Sequence, residues 1–296
     1  MYKRWLINIV LLILVIVLGL FVFYTLEQNK PIEKPGLTDL KPIEVQSIHI
    51  ERSGKQPITL LKEASGSWQI TSPFELPANK FQAESLLQIL SLRGYNKIDS
   101  SNLAEFKLDA PAVTIKFNKL TVAFGNSSPL NHQRYIQIDD NVYLIRDTWY
   151  YYLTGDALAF ASLSLLGNEP KITELEMPNY HLKLQDTKWV LKSEAASDKI
   201  DISTDALGAL IDNWQHASAY DIKLYDGDIA DKEQIKVTLL GQPQPMNFII
   251  VSKAPDLILA RAEKGVKYQL SGTQYDKLLR LPIKVDITDK ATDIKD

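Results

Sequence analysis

Histidine is the side chain that most often serves proteins as a metal ligand or general base. This 296-residue chain contains four histidines. They are His49, His132, His181 and His216. They lie far apart in the sequence, and none belongs to a His-Glu-x-x-His or closely spaced His-His motif, so no local zinc-binding pattern is present. We interpret all four as surface or boundary residues. The alternative is that folding brings two of them together on a metal.

Carboxylates are densest in residues 221–233, which contain five acidic side chains. Calcium binds several oxygen ligands supplied by a flexible loop, so it is a conceivable ligand here. No glutamate closes a twelve-residue EF-hand loop, however, and we prefer to interpret the segment as an acidic connecting loop. Asp139-Asp140-Asn141 is similarly more typical of a hairpin turn than of a catalytic acid–base pair.

Motifs for nucleophilic or phosphate chemistry are not found. The chain has no cysteine, which excludes disulfides, thiolate nucleophiles and cysteine-ligated metals. It has no Gly-x-Gly-x-x-Gly or Walker A sequence, no Gly-x-Ser-x-Gly elbow and no Ser-x-x-Lys pair. We therefore predict a non-enzyme with no catalytic, cofactor-binding or metal-binding residues. A hydrolase with dispersed catalytic residues remains an alternative.

The densest aromatic patch is the candidate interaction site. It consists of Trp149, Tyr150, Tyr151 and Tyr152. Consecutive side chains on a helix point around most of its circumference, so these rings cannot all face one core. One interpretation is core packing, and the other is a surface for a protein partner, because aromatic residues are enriched at interfaces.

The formal net charge of the chain is −3. This sign argues against nucleic acid or an anionic lipid surface as the main partner, because both attract basic patches. No nucleic-acid partner is therefore expected.

The N-terminal elements favour a membrane location. Residues 5–24 contain one polar residue, Asn8, and no charge, which is about the ~20 residues needed to cross a bilayer. Lys3 and Arg4 precede this run, so the N-terminus is expected in the cytoplasm. We predict a single-pass protein of the bacterial inner membrane, anchored by residues 5–24, with the bulk of the chain extracytoplasmic. A cleaved signal peptide is the alternative.

Beyond the anchor, the pattern predicts two similar halves. Alternating apolar and polar residues predict strands, and apolar residues at helical spacing predict helices at 83–92 and 204–214. Matching residues recur 121 apart, as in Trp68 and Trp189, and later 125 apart, as in Tyr143 and Tyr268. We interpret this as an internal duplication, with chance similarity as the alternative.

The predicted fold class is therefore α+β: an N-terminal transmembrane helix followed by two tandem repeats of a mostly antiparallel β-sheet with helices. The predicted segments are a cytoplasmic stub with the anchor (1–26), a Pro-rich stalk (27–43), a first repeat with its connector (44–168), a second repeat (169–282) and a polar tail (283–296).

Three blocks of the sequence carry a family resemblance. The first is the segment 66–73 with Pro77-Ala78-Asn79 and the following helix, the second is 102–112, and the third is 143–145 with the connector 160–166. The chain resembles a bacterial family of single-pass envelope proteins that contain a domain of unknown function. In that family the second block has a glycine where this chain has Lys107. The family's members are often encoded beside ABC transporters of the gliding-motility auxiliary type.

The resemblance implies no catalytic residues and suggests a transporter-associated role by gene neighbourhood alone. The expected function is that of a non-catalytic, membrane-tethered accessory or scaffold protein, with a protein partner in the inner membrane or periplasm. The alternative is a periplasmic binding module that captures a glycan, lipid or peptide between the two repeats.

Overall fold

The computed structural model describes residues 2–28, 36–99, 102–129, 132–193 and 198–284. The chain begins with helix α1 (Tyr2–Gln28). Two antiparallel β-sheets with short helices follow it. Residues 29–35 of the predicted stalk and 285–296 of the predicted tail lie outside the described residues.

The first sheet contains nine strands in the order β4-β3-β2-β1-β6-β7-β8-β9-β5. Their bounds are β1 (Ser47–Arg52), β2 (Ile58–Lys62), β3 (Trp68–Ser72), β4 (Leu76–Pro77), β5 (Asn96–Ile98), β6 (Val113–Phe117), β7 (Leu120–Ser127), β8 (Gln133–Ile138) and β9 (Asn141–Arg146). Two helices accompany them, α2 (Lys80–Leu87) and α3 (Tyr150–Thr154).

The second sheet contains eight strands in the order β12-β11-β10-β14-β15-β16-β17-β13. Their bounds are β10 (Ile172–Met177), β11 (Tyr180–Gln185), β12 (Lys188–Ser193), β13 (Asp221–Leu224), β14 (Gln234–Leu239), β15 (Met246–Ser252), β16 (Leu257–Arg261) and β17 (Val266–Leu270). Its helices are α4 (Thr204–Gln215) and α5 (Gln274–Leu279). Apart from the additional edge strand β4, the two sheets have the same strand order.

The molecule is mostly β, so the predicted α+β class is wrong. The helices that accompany the sheets are short: α2 has 8 residues, α3 has 5, α4 has 12 and α5 has 6. The predicted helix at 83–92 illustrates the reason, because its second part, 88–91, forms a tighter 3-10 turn rather than continuing α2.

The prediction of a membrane anchor is also wrong. Across the residues that the structure describes, no helix has both the length and the apolar character needed to span a membrane. A single-pass location in the inner membrane is therefore not supported.

One continuous cluster of buried side chains fills both halves of the molecule. It includes Ile50 and Ile115 from the first sheet and Leu175 and Val237 from the second. Leu165, from the segment between the halves, belongs to the same cluster. The two sheets therefore share their hydrophobic core.

The segment 156–168, which we call the connector, bonds to both halves. On one side, the Asn79 amide donates to the Phe160 carbonyl at 2.7 Å. On the other, the Ala219 amide donates to the Leu163 carbonyl at 2.8 Å. Single antiparallel bridges accompany these bonds, Ala78 with Ala161 and Ser164 with Ser218. The connector thus joins the edges of the two halves by backbone hydrogen bonds.

The second half ends with the hydrogen-bond pattern that the connector forms with the first half. Residues 282–284 pair with 199–201, and the bridge joins Ile200 to Ile283. Ile200 lies 122 residues after Ala78, and Ile283 lies 122 residues after Ala161. The start of the predicted polar tail, at 283–284, is therefore part of the folded body.

Candidate functional site

The predicted interaction surface, Trp149 to Tyr152, lies immediately after β9 and forms the start of α3. Trp149 is buried, and its indole Nε1 donates to the Ser85 carbonyl at 2.8 Å and lies 3.1 Å from the Ser85 hydroxyl. Because Ser85 belongs to α2, this contact fixes the aromatic segment against that helix.

Tyr150 is also held in place, by a buried cation. The guanidinium carbon of Arg134 lies 3.5 Å from the centre of the Tyr150 ring. Arg134 is paired in turn: its Nε donates to Asp147 Oδ2 at 2.9 Å and its Nη1 donates to the Gly125 carbonyl at 2.5 Å. A buried charge is tolerated when it is paired and hydrogen-bonded, as it is here.

The other two aromatic residues face solvent. Tyr151 is 82% exposed and Tyr152 is 44% exposed. Their rings are 5.6 Å apart and nearly perpendicular, the edge-to-face arrangement that aromatic pairs prefer. The structure thus divides the patch into an anchored pair, Trp149 and Tyr150, and an exposed pair.

The backbone beneath the exposed pair is tied to the first sheet. Arg52 Nη1 donates to the Gly155 carbonyl at 2.9 Å, and Lys55 Nζ donates to the Thr154 carbonyl. The exposed rings therefore project from a segment that is fixed on both sides. Such a segment can offer aromatic area to a partner without first having to become ordered.

A sequence comparison places these elements in a family. A family model described as a domain of unknown function, DUF4340, matches residues 68–236, which is more than half of the chain and runs from β3 into β14. The chain belongs to the DUF4340 family. Comparisons with curated proteins and with solved structures gave no significant match.

The histidines of this DUF4340 protein do not converge. His49 Nδ1 lies 2.8 Å from the Thr59 hydroxyl, His181 Nε2 lies 2.6 Å from Glu174 Oε1, and His216 pairs with Asp212 on α4. His132 lies between β7 and β8. In the described ranges, no group of three or more histidine and acidic side chains is arranged to hold a metal ion.

The acidic segment 221–233 is a strand followed by a folded loop. The Tyr225 hydroxyl donates to the Asp228 carbonyl at 2.9 Å, and Asp228 Oδ1 accepts from the Ala230 amide at 2.9 Å. The Tyr225 ring also lies so close to Gly227 that a Cβ there would approach it to 2.8 Å. The carboxylate of Asp228 thus serves the loop backbone, in keeping with the connecting-loop interpretation.

Sequence reasoning missed the ion pairs that cross both sheets of the DUF4340 protein. Lys116 Nζ lies 2.7 Å from Glu51, between β6 and β1, and Lys236 Nζ lies 2.9 Å from Glu176, between β14 and β10. The hydrogen bond from Lys116 lowers the pKa of Glu51. The two pairs join corresponding strands, but Lys116 is opposite His49 in the register whereas Lys236 is opposite Glu176 itself. Only the glutamates recur at a spacing of 125 residues, so the sequence carried a signal for the glutamates and not for the pairs.

A third ion pair contains His181. Burial acts to raise the pKa of Glu174, but the hydrogen bonds from His181 and Lys183 and the positive charge of Lys183 outweigh it and lower that pKa. These groups are paired with one another on partly exposed strands, an arrangement that suits a solvated sheet surface.

A cleft of about 500 Å³ lies between the two halves. Its lining mixes apolar side chains such as Leu166 and Met246 with charged ones. Glu75 from the first half and Lys264 from the second meet across it at 3.1 Å. The cleft is therefore polar and charged rather than a deep apolar pocket.

Proposed function

We propose that this DUF4340 protein is a non-catalytic accessory or scaffold subunit that docks to a protein partner through Tyr151 and Tyr152. The observation that carries the proposal is the contrast within one segment. Trp149 and Tyr150 are locked by specific contacts, while the next two rings are exposed. Rigid, exposed aromatic side chains are typical anchors of protein interfaces because they bury a large area at low entropic cost.

We further propose that the partner is a subunit of an ABC-transporter-like or envelope-assembly complex. The sequence resemblance described above supports this choice, since members of that family are often encoded beside such transporters. In this role the two sheets, with their shared core, would serve as a rigid platform for the aromatic pair.

The test is recovery of the partner with an affinity-tagged full-length chain after mild crosslinking in its own cells. We expect transporter or assembly subunits in stoichiometric amount with the unmodified chain. The double variant Tyr151→Ser/Tyr152→Ser should lower their recovery by at least about tenfold, the effect of removing interface anchors.

A matched control is Phe81→Ser on α2, because Phe81 is also 82% exposed but lies outside the aromatic segment. This variant should retain the partner. Equal recovery with the double variant and the unmodified chain, at unchanged thermal stability, would contradict the proposed docking role.

The cleft between the halves favours a second candidate, a binding module for a glycan or a peptide. Its charged and polar lining, with Glu75 and Lys264 meeting across it, suits a hydrophilic ligand better than a lipid. Native mass spectrometry of the purified full chain would detect a retained small molecule. Retention that is lost in Lys264→Glu would favour this candidate over the docking subunit.

A further inference from the structure

A second groove, of about 630 Å³, runs along β13, the edge strand of the second sheet. One side of the groove is formed by residues 220–224. The other is formed by the connector between Asp156 and Leu163 and by the start of α2. The groove is thus bounded on one side by a β-strand and on the other by the connector.

The groove side of β13 is an open β-edge. Among the described strands, β13 pairs with β17 alone, and the Tyr225 amide donates to the carbonyl of Gly265, which directly precedes β17, at 2.8 Å. Because bonded and non-bonded residues alternate in an antiparallel pair, the amides of Ile222 and Leu224 face away from β17. In keeping with this, the Ile222 amide donates to the side chain of Asp221 at 2.9 Å.

The connector pairs with the chain just before β13, at Ser218 and Ala219. It bridges Ser218 through Ser164, and Leu163 accepts the Ala219 amide. In the other direction along the connector, residues 157–160 coil into a 3-10 turn. No strand of the described residues pairs with this edge of β13, which lies directly beyond the single bridge between Ser164 and Ser218.

The side chains around this edge combine apolar surface with negative charge. Leu224 is 67% exposed and Tyr220 is 55% exposed. The Tyr220 hydroxyl donates to Asp256 at 2.7 Å, which fixes the ring and raises the pKa of Tyr220 to about 12. Asp156 and Asp221 line the groove as well, and Asp156 lies close enough to the guanidinium of Arg52 to interact with it electrostatically.

The acidic character continues past the end of the strand. Asp226 and Asp228 follow β13 and are exposed. Within the groove, the one lysine of the lining, Lys223, lies 3.0 Å from Asp221 and is thereby neutralised in part. The charge of this region is complementary to a cationic ligand.

We propose that this groove binds an extended peptide segment of a partner protein, apolar at alternate positions and carrying lysine or arginine, which adds as a strand to β13. Strand addition supplies affinity through backbone hydrogen bonds, and alternate side chains supply specificity. The inference goes beyond the proposed function, because it involves other residues and defines the chemistry of the ligand. It can hold or fail independently of Tyr151 and Tyr152.

The experiment uses the full-length protein and a synthetic probe, the peptide fluorescein-Thr-Val-Lys-Val-Thr-Val-Arg-amide, labelled at its N-terminus. Fluorescence anisotropy measures its binding, and hydrogen exchange with mass spectrometry locates it. We expect saturable binding and slower exchange confined to residues 220–224 and the facing connector. Replacing the lysine and arginine of the probe by glutamate should weaken binding by at least about tenfold.

Two changes test the backbone mechanism. The same peptide with alternate amides N-methylated keeps its side chains but loses its edge hydrogen bonds, so binding should weaken by about tenfold or more. The variant Leu224→Pro removes a groove-facing amide, a change that edge strands tolerate, and should have a similar effect. Leu224→Ala is its matched control, since it keeps that amide.

Three results would overturn the proposal. The first is equal binding of the N-methylated peptide, and the second is no binding, or protection elsewhere, with the unmodified peptide. The third is self-association of the chain that Leu224→Pro abolishes, since a second copy would then be the occupant of the edge.

Discussion

Lys107 has a left-handed backbone conformation, which is more favourable for glycine than for lysine. It follows the 3-10 turn at 103–106 and has φ 58° and ψ 34°, in the left-handed region. Its amide donates to the Ala104 carbonyl at 3.2 Å and so closes the turn. A side chain with a Cβ is disfavoured there, whereas glycine is not.

We therefore predict that Lys107→Gly raises the free energy of unfolding by about 0.5–1 kcal/mol, the relief of left-handed strain less the greater entropy of unfolded glycine. Urea denaturation of the full chain measures it. Lys97→Gly is the control, because Lys97 is an exposed residue of β5 that is not among the positive-φ positions. That change should lower stability, and a gain of the same size there would contradict the explanation.

Lys107 also shows how far the structure around a single residue could be predicted from the sequence. The family usually has glycine at position 107, so the lysine of this chain argued against a tight turn there, and the turn nevertheless forms. The Asp139-Asp140 hairpin turn was also predictable, and it is confirmed by the pairing of Ile138 with Asn141. The division of the aromatic patch was not predictable, because it depends on Arg134 and Ser85, which only the tertiary fold brings into contact.

At the scale of elements, the connector is a loop that bonds to both halves and contributes side chains to their shared core. It was predictable as an apolar segment between two halves. Its hydrogen bonds to both of them were not predictable, because one-residue bridges leave no periodic pattern in a sequence.

We predict that Ala161→Glu lowers the free energy of unfolding by about 3 kcal/mol or more, because it places a carboxylate at a buried position opposite Ala78. The matched control is Ala159→Glu, two residues earlier on the same segment but exposed. It should change stability by less than about 0.5 kcal/mol. Thermal and urea unfolding measure both variants, and similar losses in the two would argue against a buried structural role for Ala161.

Strand prediction was most successful in the middle of the sheets. Alternating apolar and polar residues predict strands at 113–117 and 235–239. The first matches β6 residue for residue, and the second differs from β14 by one residue. The short outer strands β5 and β13 were missed. An edge strand has one neighbour and little burial, so its side chains are not forced into alternation. The site that depends on such an edge was therefore missed with it.

At the scale of the whole molecule, the shared core predicts cooperative unfolding. Side chains of both sheets and of the connector belong to one buried cluster, so neither half can open without exposing apolar surface of the other. We predict a single calorimetric transition for the full chain, with the van't Hoff enthalpy close to the calorimetric enthalpy.

A control is the Ala161→Glu chain, in which the link between the halves is weakened. Its transition should broaden or divide, whereas that of Ala159→Glu should stay single. Two well-separated transitions in the unmodified chain would contradict the shared-core prediction.

The equal spacing of the two closing bridges has a consequence for how a protein of this architecture can be lengthened. Each half finishes with a segment that pairs beside the entrance to its own first helix, Ala161 with Ala78 and Ile283 with Ile200. In the first half, that segment then continues and pairs with the second half through the bridge between Ser164 and Ser218. The junction between the halves is thus modular. Another whole unit inserted at the connector would form the same bridges in the same register. Growth by duplication of a unit therefore requires no new type of interface.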